Sequence, residues 1–316
     1  MDKVVVISGH PNLEESHTNK VILEALRNRI EDIDIRNLAS LYPDYKFNVE
    51  AEQSALLAAD TIVFEFPFYW YSVPGIMKLW LDEVFTFNFA YGPEGNKLKG
   101  KNFILSFTIG GPKQSYHPLG YNHFSIEQLM MPLEQTAYLA GMHYHPSIYS
   151  YGMVYIPGVY NTLEGVEASA RDHADRLIET LSALSEKHIK QAAIKDFALR
   201  WFKEFDKLAE DLSWFIGHID NALHLQGPDG TFRGIDGFCK WYQILRQSFK
   251  PDAKHQLERL DVTHLEKNHY QVEMLVRVEA ETFNNDPVKI SAKEVWRVAI
   301  DEQNNIKIFD YRIELV

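Results

Sequence analysis

Ser16, Thr18 and Asn19 lie in a polar loop, Gly9-His10-Pro11-Asn12-Leu13-Glu14-Glu15-Ser16-His17-Thr18-Asn19-Lys20, just ahead of an amphipathic run with Val21, Ile22, Ala25, Leu26 and Ile30. A helix starting there would offer unpaired N–H groups and the positive end of its dipole, and the hydroxyl and amide side chains add further donors. Phosphate is the anion this chemistry suits. The glycines of an ATP or dinucleotide loop are missing, which points to a flavin phosphate over ATP. Taken alone, the same residues are more often plain helix caps.

Two further stretches carry chemistry. Pro67-Phe68-Tyr69-Trp70-Tyr71-Ser72-Val73-Pro74-Gly75 sets four consecutive aromatic rings between prolines, which would give a stiff apolar shelf for a large planar ring. Thr108-Ile109-Gly110-Gly111-Pro112 brings glycines, which let backbone approach a ligand closely. Tyr116, His117 and His123 follow in a polar loop.

Each stretch sits at the end of a strand. Val4-Val5-Val6-Ile7, Ile33–Leu38, Thr61–Phe66, Asn102–Phe107 and Tyr144–Tyr149 read as strands, several of them apolar on both faces as in a parallel sheet. Helices are expected near 54–60, 76–85, 125–139 and 163–184. Alternating strands and helices define a doubly wound α/β fold, and such sheets bind ligands at their carboxyl edge. Phe87, Phe89 and Tyr91, if exposed, would suit a dimer interface.

Composition limits the alternatives. At 316 residues two domains are expected. A net charge of -12 with no basic block argues against nucleic acid. One cysteine, Cys239, rules out an internal disulfide framework or a Cys-based metal site, and reads as a core residue. The start Met-Asp-Lys runs straight into a strand and no apolar run approaches a membrane span, so a soluble, cytoplasmic protein is expected.

Residues 1–184 resemble the flavodoxin-like NAD(P)H-dependent oxidoreductases that include the mammalian quinone reductases. Within that family they are most similar to the short ancillary subunits of glutathione-gated potassium efflux systems. The resemblance rests on Gly9-His10-Pro11, Ser16 to Lys20, Leu41-Tyr42-Pro43-Asp44, Ala51-Glu52-Gln53, Pro67 with Trp70 to Pro74, Lys78 to Asp82, Ala90-Tyr91-Gly92 and Thr108 to Gly111. It implies FMN rather than FAD, with the phosphate held by His10, Ser16, Thr18 and Asn19. It places Pro67, Phe68, Tyr69, Trp70 and Tyr71 at the ring edge and Thr108, Gly110 and Gly111 on its other side. Tyr116 and His123, with His117 competing for the latter role, would stabilise charge on the reduced ring. It also implies ping-pong hydride transfer from NADPH or NADH to a quinone or small electrophile, a homodimer, and as an alternative role docking on a potassium efflux transporter.

From Ser185 the pattern changes. One helix is expected over 186–215, then strands near 215–225, 256–265, 270–283, 291–300 and 305–315 in an antiparallel meander. This α+β region, 185–316, resembles the nuclear transport factor 2-like (SnoaL-like) cone, through Ala222 to Gly237 and the following aromatic helix. Asp206, Asp211, Trp214, His218 and Asp220 are its candidate acid or base groups, which leaves a third possibility, a small-molecule enzyme whose pocket lies in the cone. His218 and His224 have no partners at metal-ligand spacing, and no metal is expected.

Overall fold

The structure, a computed structural model, describes residues 2–251 and 253–316. The chain divides into two compact units, Met1–Ser185 and Glu186–Val316.

The first unit carries β1 (Val4–Ser8), α1 (Asn19–Arg29), β2 (Ile33–Asn37), α2 (Leu38–Leu41), α3 (Val49–Ala58), β3 (Thr61–Pro67), α4 (Gly75–Val84), β4 (Asn102–Thr108), α5 (Ile126–Leu139), β5 (His143–Tyr144), β6 (Ile148–Ser150) and the start of α6 (Leu163–Phe205). The parallel sheet runs β2-β1-β3-β4-β5, with β6 also pairing with β4. Alternate side chains point to opposite faces. Val5, Ile7, Ile62, Phe64, Phe103 and Leu105 pack with α4 and α5, while Val4, Val6, Val63 and Ile104 pack with α1 and α6. Because both faces are covered, these strands are apolar throughout, the pattern visible in the sequence.

Several boundaries differ from expectation. The helix expected at 54–60 begins at Val49, where Asn48 accepts a hydrogen bond from the Ala51 N–H. Leu38–Leu41, read as strand end and loop, is a short helix started by Asn37, whose side chain accepts from the Ser40 N–H. The single strand expected at 144–149 is two, because Pro146 has no N–H to donate to a ladder.

In the second unit the helix expected over 186–215 is not separate. One helix, α6, runs from Leu163 to Phe205, and α7 (Ser213–Gly217) follows, where Asp211 accepts from the Ser213 N–H. The remaining elements are β7 (Ile219–Gly227), β8 (Gly230–Arg233), α8 (Gly234–Ser248), β9 (Lys254–Glu266), β10 (His269–Glu281), β11 (Pro287–Ile300) and β12 (Ile306–Leu315). Their sheet runs β8-β7-β12-β11-β10-β9. The last four strands form the expected antiparallel meander, but β7 pairs parallel with β12, so the sheet is mixed. A parallel pair needs a crossover, and the chain between β7 and β12 supplies it. Alternation in β10 buries Tyr270, Val272, Met274 and Val276 with Trp201, Phe238, Tyr242, Trp296 and Tyr311.

Candidate functional site

The carboxyl ends of β1, β3 and β4 open onto a cavity of about 510 Å3. His10, Ser16, Thr18, Asn19, Pro67, Phe68, Tyr69, Thr108 and Gly110 line it, so nine of the sequence candidates meet in one place.

Asn19, the first residue of α1, organises the polar wall. Its side-chain oxygen accepts from Ser16 Oγ (3.3 Å), Thr18 Oγ1 (3.3 Å) and Thr108 Oγ1 (3.1 Å). An amide oxygen has two lone pairs, so three hydroxyls oversubscribe it and at least one is available to another acceptor. Thr18 precedes the helix yet makes no side-chain cap, and the first turn of α1 holds no acidic residue. The capping explanation therefore fails for Thr18 and holds for Ser16, whose Oγ accepts from the Asn19 N–H (3.0 Å) while its own O–H stays a donor that an anion could use. Glu15, also on the cavity lining, is the one feature here that opposes negative charge.

The Asn19 amide nitrogen points the other way and donates to Glu65 Oε1 at 2.6 Å. Asn19 is itself buried, so its side chain is a strut holding the hydroxyls in place. Glu65 lies on β3 beneath the loop, fully buried, and also accepts from Ser8 Oγ (3.2 Å). Burial raises its carboxyl from the usual 4.5 to about 8, against the lowering effect of the Asn19 and Ser8 hydrogen bonds. Burial thus favours the protonated, uncharged form of Glu65 at neutral pH. Sequence reading passed over it, although an acid inside Thr61-Ile62-Val63-Phe64-Glu65-Phe66 was a visible exception in a buried strand.

His10 Nδ1 accepts from the Asn12 N–H at 3.1 Å. Burial pulls the imidazole below its ordinary value, so the ring is neutral and its Nε2–H is a donor. Gly9 has a packing reason of its own, since a Cβ there would stand 2.8 Å from Met77 Cβ.

The aromatic stretch does not form one continuous shelf. Tyr69 to Ser72 is a tight turn closed by the Ser72 N–H on the Tyr69 carbonyl (3.1 Å), with positive φ at both central residues, Trp70 (46°) and Tyr71 (65°). That geometry separates the rings. Phe68 is buried, Tyr69 lines the cavity, and Trp70 is 91% exposed.

Trp70, Tyr71, Gly111, Tyr116 and His123 are not among the lining residues of this cavity. Tyr116 packs against Phe68 (6.3 Å) and Tyr151 (5.6 Å), and its hydroxyl would lie 3.2 Å from a Cβ on Gly111. Burial pushes the Tyr116 phenol up. His123 is exposed with a φ of 60°, and the Tyr71 hydroxyl donates to its neighbour Asn122 at 3.1 Å. His117 Nδ1 is engaged by the Leu119 N–H (3.1 Å). The sequence reading also missed Met153, Val154 and Tyr155 on the lining. They come from an irregular segment after β6 that carries no periodicity to read.

A parallel sheet with helices on both faces and a polar crevice at its carboxyl edge defines a doubly wound α/β unit. A family model described as a flavodoxin-like fold matches residues 2–181, and the chain belongs to that family. It is 48% identical over 149 residues to the uncharacterised NAD(P)H oxidoreductase YdeQ of Bacillus subtilis (strain 168), covering 47% of this chain and 75% of that one. The structure of general stress protein 14 from Treponema denticola in complex with FMN is 32% identical, with a TM-score of 0.51, covering 56% of this chain and 98% of that one. The second, mixed-sheet unit has a nuclear transport factor 2-like superfamily protein of Salmonella enterica among its structural neighbours, 15% identical with a TM-score of 0.37, covering 41% of this chain and 92% of that one.

Proposed function

We propose that the first unit is an FMN-dependent NAD(P)H oxidoreductase that reduces a quinone or related small electrophile by two-electron ping-pong transfer. The observation that carries this reading is the convergence of Ser16, Thr18, Asn19, Thr108 and the start of α1 on one cavity. The relative named as an NAD(P)H oxidoreductase and the FMN-bound relative support the same chemistry.

In this reading Ser16, Thr18 and the His10 Nε2–H hold the phosphate, while Asn19 fixes their orientation through Glu65. Pro67, Phe68, Tyr69, Thr108 and Gly110 enclose the ring. Tyr116 and His123, with Trp70, Tyr71 and Gly111, border the electron-acceptor side. When bound, FMN supplies hydride acceptance from NADPH or NADH and donation to the acceptor. The neutral state of Glu65 keeps a second negative charge away from the phosphate. We read the second unit as a nuclear transport factor 2-like cone, and the protein as a homodimer whose contact draws on the exposed Phe87 and Tyr91; Phe89, also expected there, is buried in the core.

Anaerobic NADPH should bleach a yellow preparation, and menadione should restore the colour. A colourless preparation that takes up no added FMN would overturn the reading. A yellow preparation that NADPH and NADH leave unbleached would favour a regulatory role, such as docking on a transporter. No helix among the described residues is long and apolar enough to cross a membrane, so such a role would run through the partner.

A further inference from the structure

The second unit holds a cavity that flavin chemistry leaves unused. It measures about 130 Å3, and Phe205, Trp241, His255, Glu294 and Tyr311 are among the residues around it. Size restricts the occupant. An apolar cavity of roughly 150 Å3 accepts benzene, so the enclosed part of a ligand here is a single ring. Phe205, Trp241 and Tyr311 supply aromatic walls, with Phe205 and Trp241 centred 5.5 Å apart and Trp241 and Tyr311 5.8 Å apart.

Two polar groups face this apolar space. Glu294, on β11, is 4% exposed; Trp296 Nε1 donates to its Oε2 at 3.2 Å, and it is hydrogen-bonded to Tyr311. Enclosure favours the protonated carboxyl, because a charge in apolar surroundings is costly. Burial raises it from its usual 4.5 to about 7, consistent with that geometry. At and below neutral pH its protonated form is well populated, and that form presents an O–H donor. His255, on β9, is held by Asp206: Nδ1 lies 2.6 Å from Asp206 Oδ1, which also accepts the His255 backbone N–H at 3.1 Å. The ring stacks on Phe202 at 5.2 Å and meets Phe205 edge-on at 5.8 Å, so its orientation is fixed. Asp206 engages Nδ1 and leaves Nε2 as the remaining ring nitrogen.

Charge narrows the ligand further. Asp229 and Glu294 lie on the lining and, among the described lining residues, none is Lys or Arg. An anionic ligand would meet the Asp229 carboxylate with no Lys or Arg on the lining to offset it.

We propose that this cavity is a binding site for a neutral, single-ring molecule carrying one carbonyl oxygen, with the ring against Phe205, Trp241 and Tyr311 and the oxygen accepting from Glu294. Of the five groups singled out in the sequence for this unit, Asp206 takes part, through His255. Asp211, Trp214, His218 and Asp220 are not on the lining. Sequence reading missed His255 and Glu294 because each falls within a long strand, where strand alternation alone assigns them a face and no chemistry.

Three probes of one shape test the site: acetophenone, α-methylstyrene, which puts a methylene where the oxygen was, and benzoate, which adds a charge. Ligand-observed NMR titrations of the full chain should show acetophenone binding about tenfold more tightly than α-methylstyrene, the worth of one hydrogen bond, with benzoate not binding. Glu294→Gln, which keeps a donor, should retain the preference, and Glu294→Met should abolish it. Ala292→Phe, which fills the cavity, should remove binding of both neutral probes. Equal affinities in the parent protein, binding of benzoate, binding of no probe, or binding that survives Ala292→Phe would overturn the proposal. Should Glu294→Met fail to fold, Glu294→Gln and Ala292→Phe still decide it. No flavin enters these titrations, so their outcome is independent of the oxidoreductase reading.

Discussion

Glu52 and Glu65 are both fully buried carboxylates of the first unit, yet their surroundings make them opposite in kind. Glu52 accepts from Arg36 Nε (2.9 Å) and Nη2 (2.5 Å), from the Tyr42 hydroxyl (2.5 Å) and from Trp80 Nε1 (2.9 Å). Its charge is matched by a cation and its lone pairs are filled, and the Arg36 guanidinium is in turn held charged by it. Glu65 has only the uncharged Asn19 and Ser8 as hydrogen-bond partners and avoids the cost of a buried charge by keeping its proton. One acid fastens α3 to β2 and α4. The other sits beneath the loop ahead of α1, where burial favours its neutral form. A buried acid without a cation is thus the better pointer to a site than one with every bond filled.

The largest effect expected of this contrast is on stability. Glu52→Ala leaves the part-buried Arg36 with Asp34 as its remaining ion-pair partner and takes the acceptor from Tyr42 and Trp80, and should cost about 3–5 kcal/mol in the urea transition of the first unit. A loss below about 1 kcal/mol would show that the Arg36 pair contributes little.

Glu65 should reveal itself through pH. The folded unit keeps its proton up to about pH 8, whereas an unfolded chain releases it near 4.5. Its contribution is therefore whole below pH 4.5 and is lost as pH rises through 8, about 4–5 kcal/mol across that window. Glu65→Gln, of nearly the same shape, should flatten this slope. An unchanged slope in the variant would place its origin elsewhere.

Next in size are the effects on cofactor affinity. Asn19→Ala removes the acceptor that aligns three hydroxyls and leaves Glu65 short of a donor, so FMN binding should weaken about 100-fold. Ser16→Ala loses one hydrogen bond to a charged group, about tenfold. Equal losses in fluorescence titrations would mean that Asn19 contacts the phosphate directly and is no strut.

This ordering follows what the sequence could and could not reveal. The parallel sheet was legible because Val4 to Ile7 and Asn102 to Phe107 are apolar without interruption, a pattern that burial on both faces imposes. The meeting of Ser16, Thr18 and Thr108 was legible because Thr108 ends β4 and the other two follow β1, strands that share a carboxyl edge. Side-chain direction was not. That Asn19 turns inward depends on register, which places Ser8 opposite Glu65 and puts both on the face toward α1. The parallel pairing of β7 with β12 was hidden for a similar reason, since nothing local in Ile219–Gly227 states which neighbour it will meet.

The smallest effect comes from the turn at Trp70. Two consecutive aromatic residues with positive φ are strained by about 1–2 kcal/mol each, and such strain gathers at functional sites. Trp70 is almost fully exposed, so its ring recovers little of that cost by packing within one chain. Trp70→Gly would relieve the strain, while the freer unfolded glycine takes back about 0.5–1 kcal/mol, leaving a rise in melting temperature of about 1–2 °C. If the turn serves the electron acceptor, menadione reduction should fall in this slightly more stable variant. A lower melting temperature that worsens on dilution would show instead that the ring is buried against a second copy of the chain. In that case the strain serves assembly, and the aromatic turn belongs with Phe87 and Tyr91.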